Sequence, residues 1–157
     1  MAMPAESVSS STESVGGEIR EDEHGKKFIR VYAADTITVG RPYVVTYDGD
    51  EATNPKTASP ATLAVYQYVG VATETVSSGD MTWLQIKGDC DFALVTGDSD
   101  VAKDDFLEVT NTETAMEVDA STRSANSVAI ARAAYTDTAD AATLVSLIGD
   151  RVIVAAS

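Results

Sequence analysis

The sequence predicts an all-β protein, a compact β-sandwich or barrel over residues 26–157, preceded by an extended N-terminal arm over residues 1–25. From Phe28 onward, β-branched residues and tyrosines come in short runs separated by Gly, Asp, Asn and Ser, which is typical of strands joined by turns. The stretch 84–94 alternates in hydrophobicity with a period of two, which indicates a long strand with one buried face. With 157 residues, 44% of them hydrophobic, the chain can form one domain with a core.

The N-terminal arm differs in composition from the rest of the chain. Residues 1–24 are rich in Ser, Glu and Gly and contain no aromatic residue. Such a segment buries too little apolar surface to offset the entropy that it loses on ordering. It is therefore either a floppy tail or an arm that orders on a partner, and we predict the arm. Its apolar anchors are Val8, Val15 and Ile19.

The predicted strands follow one another along the domain. Residues 63–76 are apolar on both faces, which predicts a strand covered on both sides. Ser59 and Pro60 suit the start of one short helical turn. The Ala-rich stretch 129–142 is compatible with a strand or a helix, because periodicity does not separate short apolar runs. The other predicted elements are strands at 27–34, 41–51, 127–136 and 142–156 and a hairpin at 106–119 with a polar loop near 110–114.

The strand over 84–94 carries the only Cys of the chain, Cys90. Asp89 and Asp91 lie on the face predicted to be exposed, and Gly88 in mid-strand indicates a bulge or a close neighbour. Cys90 is therefore predicted to be an inert core residue. The residues that share its predicted buried face are Leu84, Ile86, Gly88, Phe92 and Leu94.

No catalytic, cofactor-binding or metal-binding residue is predicted. A nucleophilic Cys90 needs a base, and the only His, His24, lies in the arm. The acidic clusters at 48–51, 89–91, 98–100 and 104–105 lack the spacing of a calcium loop and suit tight turns. A P-loop and the motifs GxSxG, HExxH and GxGxxG are absent from the sequence. We therefore expect neither an enzyme nor a cofactor.

The charge and hydropathy of the chain limit the classes of partner that we expect it to bind. Its 25 acidic and 11 basic residues give a formal net charge of −14, which repels nucleic acid. No apolar run has the length of a membrane span, so no membrane partner is expected. The first residues have neither the basic nor the apolar region of a Sec-type signal, and one Cys forms no internal disulfide. We expect the chain to be made and folded in cytoplasm.

Trp83 is the only Trp, and it has the opposite parity to the buried face of its strand. Two interpretations are open. In the first, both faces of this strand are covered inside a sandwich. In the second, Trp83 belongs to an aromatic contact patch with Tyr66 and Tyr68, because Trp and Tyr are enriched at interfaces.

The region 63–153 resembles the capsid decoration, or cement, proteins of tailed bacteriophages. Those proteins show a strand ending in V-G-V-A, a Gly-Asp turn, a W/V-x-Q/K-x-x-G strand, a short D-V-x-x-x-D-x-L-x-V-T hairpin and a last strand near L-G-x-R-V. The matching residues are Val69-Gly70-Val71-Ala72, Gly79-Asp80, Trp83 to Gly88, Asp100-Val101 with Asp105, Leu107, Val109 and Thr110, and Ile148-Gly149-Asp150-Arg151-Val152.

This resemblance implies a structural virion protein on the outer capsid surface. Such a protein binds the major capsid protein, bridges neighbouring copies of it, stabilises the shell and forms a homotrimer. The residues predicted to contact the capsid are Val8, Val15, Ile19 and Trp83. The alternative is a soluble β-sandwich module that binds carbohydrate or a host surface through Trp83 and the tyrosines.

Overall fold

The computed structural model describes residues 8–9, 17–46, 51–57, 66–97, 100–110, 113–120 and 127–149. The predicted all-β class is confirmed, since all eleven strands belong to one hydrogen-bonded sheet and the only helical element in these ranges is a single 3-10 turn at Pro55–Thr57. The helical alternative for 129–142 is wrong, because this stretch contributes to two strands. The strands are β1 Val8–Ser9, β2 Ile19–Glu21, β3 Lys27–Ala33, β4 Pro42–Thr46, β5 Glu51–Thr53, β6 Tyr66–Ala72, β7 Met81–Val95, β8 Phe106–Glu108, β9 Glu117–Ala120, β10 Ala129–Ala131 and β11 Ala141–Ile148.

The first half of the domain closes into a small barrel, here called the N-terminal barrel. Its strands pair in the order β3-β5-β4-β6-β7, and β7 pairs again with β3. All of these pairings are antiparallel except β3 with β5. Its core contains Ile29, Val31, Ala33, Ile37, Tyr43, Val45, Ala52, Tyr68, Ala72, Val76, Leu84 and Ile86.

The second half closes in the same way and is called the C-terminal barrel. The order is β7-β11-β10-β8-β9, and Met116, directly before β9, returns to Val95 of β7 in a parallel bridge. Its core contains Cys90, Ala93, Val95, Val101, Leu107, Val109, Met116, Val128, Ala129, Ala131, Val145 and Leu147. The architecture is therefore two small barrels that share β7, rather than a sandwich.

The strand β7 changes its buried face along its length. Residues 81–86 are buried on both faces, and the predicted alternation holds only from Lys87 to Asp91. The prediction fails for Phe92 and Leu94, which are half-buried, while Ala93 and Val95 are fully buried. The reason is a β-bulge, in which two residues of β7, at 91 and 92, oppose one residue of β11, Leu144.

Gly88 and Gly40 allow segments of the chain to approach each other closely where the two barrels meet. Gly88 has a φ of +94° and lies against Lys26, which confirms the predicted close neighbour. Gly40 donates its N–H to the carbonyl of Ala72 at 2.9 Å and accepts a hydrogen bond from the N–H of Leu94 at 2.8 Å. Gly40 thus connects β6 with the part of β7 that belongs to the C-terminal barrel.

The strands β4 and β6 are covered on both faces, as predicted for the described part of 63–76. Val45 and Tyr68 face the core of the N-terminal barrel. Val44, Val69 and Val71 pack with the core of the C-terminal barrel on the other side. These valines therefore bury the contact between the two barrels.

The described parts of the predicted arm lie on the chain's own sheet. The backbone of β1 pairs antiparallel with Met81 and Thr82 of β7. The strand β2 forms a hairpin with β3, and the carboxylate of Asp22 accepts hydrogen bonds from the N–H groups of His24 and Lys26 at 2.9 Å each in its turn. The predicted boundary between residues 25 and 26 therefore falls directly after a structured turn, inside a hairpin. Among the described residues there is no helix that is long and apolar enough to cross a membrane.

Candidate interaction surface

Trp83 is fully buried, so it offers no surface to a partner in this structure. Two guanidinium groups lie over its ring, that of Arg20 at 5.3 Å and that of Arg30 at 5.4 Å from the ring centroid. This burial agrees with the covered-strand interpretation and leaves Trp83 no exposed surface for the predicted capsid contact. The physical reason is the β2–β3 hairpin, which carries both arginines across this face of β7.

The remaining predicted contact residues have different positions. Ile19 lies on β2 with 43% of its surface exposed. Val8 lies on β1, of which the backbone pairing alone is described. Val15 lies outside the described residues. The structure therefore brings none of the described predicted contacts together with Trp83 on one exposed patch.

Cys90 is a buried free thiol, as predicted for a core residue. Burial raises the pKa of Cys90 from its ordinary value of 9.0 to about 11, and the N–H groups of Phe92 and Ala93 only partly oppose this rise. His24, the only His, is exposed and lies 3.5 Å from a carboxylate oxygen of Glu23.

Two acidic side chains bond within the fold: Asp105, which belongs to a predicted cluster, and Asp140, which does not. Asp105 accepts a hydrogen bond from the N–H of Ala102 at 2.8 Å, and Asp140 accepts one from the N–H of Gly97 at 3.1 Å. The turn at 48–50 lies outside the described residues. Across the parts of the chain that the structure does describe, no group of three His, Cys, Asp or Glu side chains is arranged to hold a metal ion.

An open groove of about 180 Å³ lies at one end of the N-terminal barrel, and we call it the lysine groove. Lys27 and Lys87 are direct cross-strand partners on β3 and β7, and both line this groove. Ile19 contributes its exposed apolar side chain. The other lining residues are Tyr68, Ile86 and Gly149.

A second charged surface lies on the hairpin β8–β9, and we call it the acidic hairpin. Glu108 and Glu117 are direct cross-strand partners, and Asp119 lies two residues further along β9. Desolvation by partial burial raises the pKa of Glu108, and the charges of Asp119 and Glu117 raise it further. Asp119 accepts a hydrogen bond from the hydroxyl of Ser127 at 2.7 Å.

A further cavity of about 280 Å³ lies at the other end of the N-terminal barrel, beyond the end of β3. The hydroxyl of Tyr43, one of its lining residues, accepts a hydrogen bond from the N–H of Thr38 at 2.8 Å. Tyr32, the penultimate residue of β3, is 40% exposed. The cavity is lined by Ala34, Asp35, Thr36, Tyr43, Glu51, Ala52, Thr53 and Asn54.

Sequence reasoning missed both charged pairs. The pair on the acidic hairpin had a usable signal, because a hairpin centred on the predicted loop near 110–114 places Glu108 close to Glu117. For Lys27 and Lys87 the sequence held no usable signal, because they are sixty residues apart and become cross-strand partners only through the closure of the barrel.

Comparison with known proteins found similarity at the level of structure and none at the level of sequence families. No protein-family model matches the chain, and no curated protein matches it. Among solved structures, the chain is similar to the N base of the head fiber protein gp8.5 of bacteriophage phi29, with a TM-score of 0.46 and 14% sequence identity. The match covers 80% of this chain and 96% of that chain. Such a score is too low to establish a shared fold.

Proposed function

We propose that this chain is a structural protein of a bacteriophage virion that binds the outer surface of the capsid and bridges neighbouring major capsid proteins. The proposal depends on one observation, which is the position of each part of the decoration-protein pattern on the strands and turns of the fold. Val69–Ala72 ends β6, Gly79–Asp80 forms the turn before β7, and Trp83–Gly88 lies inside β7. Leu107 lies on β8, and Ile148 ends β11. The described part of each matched segment lies on the kind of element that the resemblance implies.

The charge and the sheet of the chain support the same role. A net charge of −14 is compatible with a position outside the shell, away from packaged nucleic acid. Among the described strands, β2 pairs with β3 alone, and such an edge can accept a strand from a neighbour. Many weak contacts on a closed shell then add up through multivalency.

The arm is the part of the chain that we assign to the capsid. Residues 1–16 precede the β2–β3 hairpin and include Val8 and Val15. The carbohydrate-binding alternative depended on Trp83 and the tyrosines as stacking groups. Trp83 and Tyr68 are buried, so this alternative loses two of its named groups.

The proposal is tested by co-sedimentation with capsids that lack this protein, purified from the phage whose genome encodes it. The full chain is expected to pellet with capsids at a fixed ratio to the major capsid protein. A chain lacking residues 1–16 keeps the β2–β3 hairpin and is expected to bind about tenfold more weakly or worse, a loss of about 1.4 kcal/mol. Replacing Val8 and Val15 by Ser tests the two anchors, with Ser10→Ala and Ser11→Ala as the matched control.

The outcomes separate the parts of the proposal. If the full chain does not bind capsids, the capsid function is wrong, and a specific hit on a glycan array then favours the carbohydrate-binding alternative. If the shortened chain binds as tightly as the full chain, the arm is not the capsid contact, although the capsid function stands. Thermal unfolding of each variant establishes that it is folded before binding is measured.

A further inference from the structure

The cavity of about 280 Å³ beyond the end of β3, here called the polar cavity, carries charges of one sign only. Asp35, in the loop after β3, and Glu51, the first residue of β5, both line it, and both are exposed. Its described lining residues include no lysine, arginine or histidine. Across the described part of the chain, neither carboxylate takes part in an ion pair or a side-chain hydrogen bond. The polar cavity therefore offers carboxylate oxygens that the fold itself does not use.

A buried tyrosine adds a hydrogen-bond donor to the polar cavity. Tyr43 lines the cavity, although only 4% of its surface is exposed. Its hydroxyl accepts a hydrogen bond from the N–H of Thr38, which belongs to the same loop as Asp35, so the hydroxyl lies on the side of the cavity that this loop forms. A phenol hydroxyl can also donate one hydrogen bond, and none that it donates is found among the described residues. The proton of this hydroxyl is thus available to a ligand.

An exposed aromatic ring lies beside the polar cavity. Tyr32 and Glu51 are cross-strand partners in the parallel pairing of β3 with β5, so their side chains share the outer face of the sheet. The next pair along the two strands, Ala33 and Ala52, lies on the opposite face, in the core of the N-terminal barrel. Tyr32 is 40% exposed. Its ring is therefore a surface next to the carboxylate of Glu51 on which the apolar face of a ligand can stack.

The chemistry of these groups selects one class of ligand. The two carboxylates repel an anion. An ammonium group donates hydrogen bonds but accepts none, so it leaves the proton of Tyr43 without an acceptor. A sugar hydroxyl both donates and accepts, so a saccharide satisfies the carboxylates and the phenol together. The volume of about 280 Å³ is near the lower end of the range of roughly 300–1,000 Å³ that small-molecule sites occupy, which suits a single sugar ring.

We propose that the polar cavity binds one residue of a neutral saccharide. Asp35 and Glu51 accept hydrogen bonds from its hydroxyl groups, Tyr43 donates one to a sugar oxygen, and the ring of Tyr32 stacks on its apolar face. Many copies of such a site on one shell add up through multivalency, even if each binds weakly. The site belongs to the free chain and is independent of capsid binding, so either can fail without the other.

Two-dimensional amide NMR spectra of the isotope-labelled full chain test the site. The probes are the methyl glycosides of glucose, galactose, mannose, rhamnose and N-acetylglucosamine, each added alone up to about 50 mM. At least one glycoside is expected to shift the amide signals of residues 32–36 and 51–54 with a dissociation constant of about 1–10 mM. The amide signals of the C-terminal barrel are expected to stay unchanged.

Three variants each remove one contact from the site. Glu51→Gln, Tyr43→Phe and Tyr32→Ala are each expected to weaken binding of that glycoside about fivefold or more, because a charged acceptor, a donor or the stacking ring is lost. Tyr32→Phe keeps the ring and is expected to bind like the original chain. Glu21→Gln removes the same charge as Glu51→Gln at an exposed position on β2, away from the cavity, and is the matched control. Circular dichroism melting curves verify that every variant is folded.

Three results overturn the proposal. The first is a titration series in which no glycoside shifts the signals of residues 32–36 or 51–54. The second is a pair of folded variants, Glu51→Gln and Tyr32→Ala, that both bind as tightly as the original chain. The third is tighter binding of putrescine, a diamine without hydroxyl groups, than of every glycoside, because the cavity then selects positive charge rather than a saccharide.

Discussion

Arg30 on β3 and Trp83 on β7 are direct cross-strand partners, and the guanidinium carbon of Arg30 lies 5.4 Å from the centroid of the indole ring. Arg20 on β2 lies on the same ring at 5.3 Å. The ring of Trp83 is therefore covered by the β2–β3 hairpin and stabilises the fold through packing and cation–π contacts.

Replacing Trp83 by Ala is expected to lower the free energy of unfolding by about 3–5 kcal/mol, because a fully buried large side chain is lost and a cavity remains. Arg20→Ala removes one of the two cation–π contacts at a partly exposed site and is expected to cost about 0.5–1 kcal/mol. Urea unfolding followed by circular dichroism measures both. A Trp83→Ala variant as stable as the original chain contradicts the burial of this ring.

Gly40→Ala is expected to destabilise the chain more than Gly79→Ala does. Both glycines have a positive φ, of +83° and +96°. A Cβ at Gly79 meets no atom within 4 Å, so this variant carries the backbone strain alone, about 1 kcal/mol. A Cβ at Gly40 lies 2.6 Å from the carbonyl oxygen of Phe92, so the strands that meet there must move. Thermal unfolding of the two variants measures the difference, and equal melting temperatures contradict the close contact at Gly40.

The thiol of Cys90 is expected to be unreactive toward a disulfide reagent at about pH 8 in the folded chain and to react on unfolding, because the thiolate is the nucleophile and is disfavoured by burial. The pKa of Cys90 is raised from 9.0 to about 11 in the folded state. Between these two pKa values the thiol of Cys90 keeps its proton in the folded state and loses it in the unfolded state. The free energy of unfolding therefore falls as the pH rises through this range. Cys90→Ala is expected to remove this alkaline loss. Rapid labelling of Cys90 in the folded chain contradicts this prediction.

Glu108→Gln is expected to stabilise the chain at neutral pH. Desolvation, Asp119 and Glu117 raise the pKa of Glu108 above its ordinary value of 4.5. The folded state therefore binds the proton more tightly than the unfolded state, and stability falls as the pH rises from about this value through the raised pKa. The neutral amide removes this fall. Melting temperatures at low protein concentration across acidic and neutral pH measure the effect, with Glu51→Gln, at an exposed position on β5, as the control.

Local patterns predicted the features that depend on local chemistry. Cys90 lies in a core, residues 68–72 are covered on both faces, and Gly88 has a close neighbour, each as the sequence indicated. The burial of Trp83 was not decidable from its own strand, because the arginines that cover it come from residues 20 and 30. The change of buried face after Asp91 follows from a bulge set by pairing with β11, fifty residues later in the chain.

The charged pairs of the candidate surface show the same limit of prediction from local sequence patterns. Glu108 and Glu117 belong to one hairpin, and their opposition follows from the loop position that the sequence already suggested. The lysine pair exists only because β3 and β7 close a barrel. In both barrels, the sequence showed the types of side chain but did not show which distant segments pair with each other.

The uninterrupted course of β7 has a mechanical consequence. Because one strand of fifteen residues, including its bulge at 91 and 92, runs through both barrels, the barrels are joined along β7 without an intervening loop. A pull on one barrel reaches the other as shear along a row of backbone hydrogen bonds, which must break together before the molecule can bend. Amide protons in the middle of β7 are accordingly expected to be the slowest to exchange, and the two halves are expected to melt in a single transition.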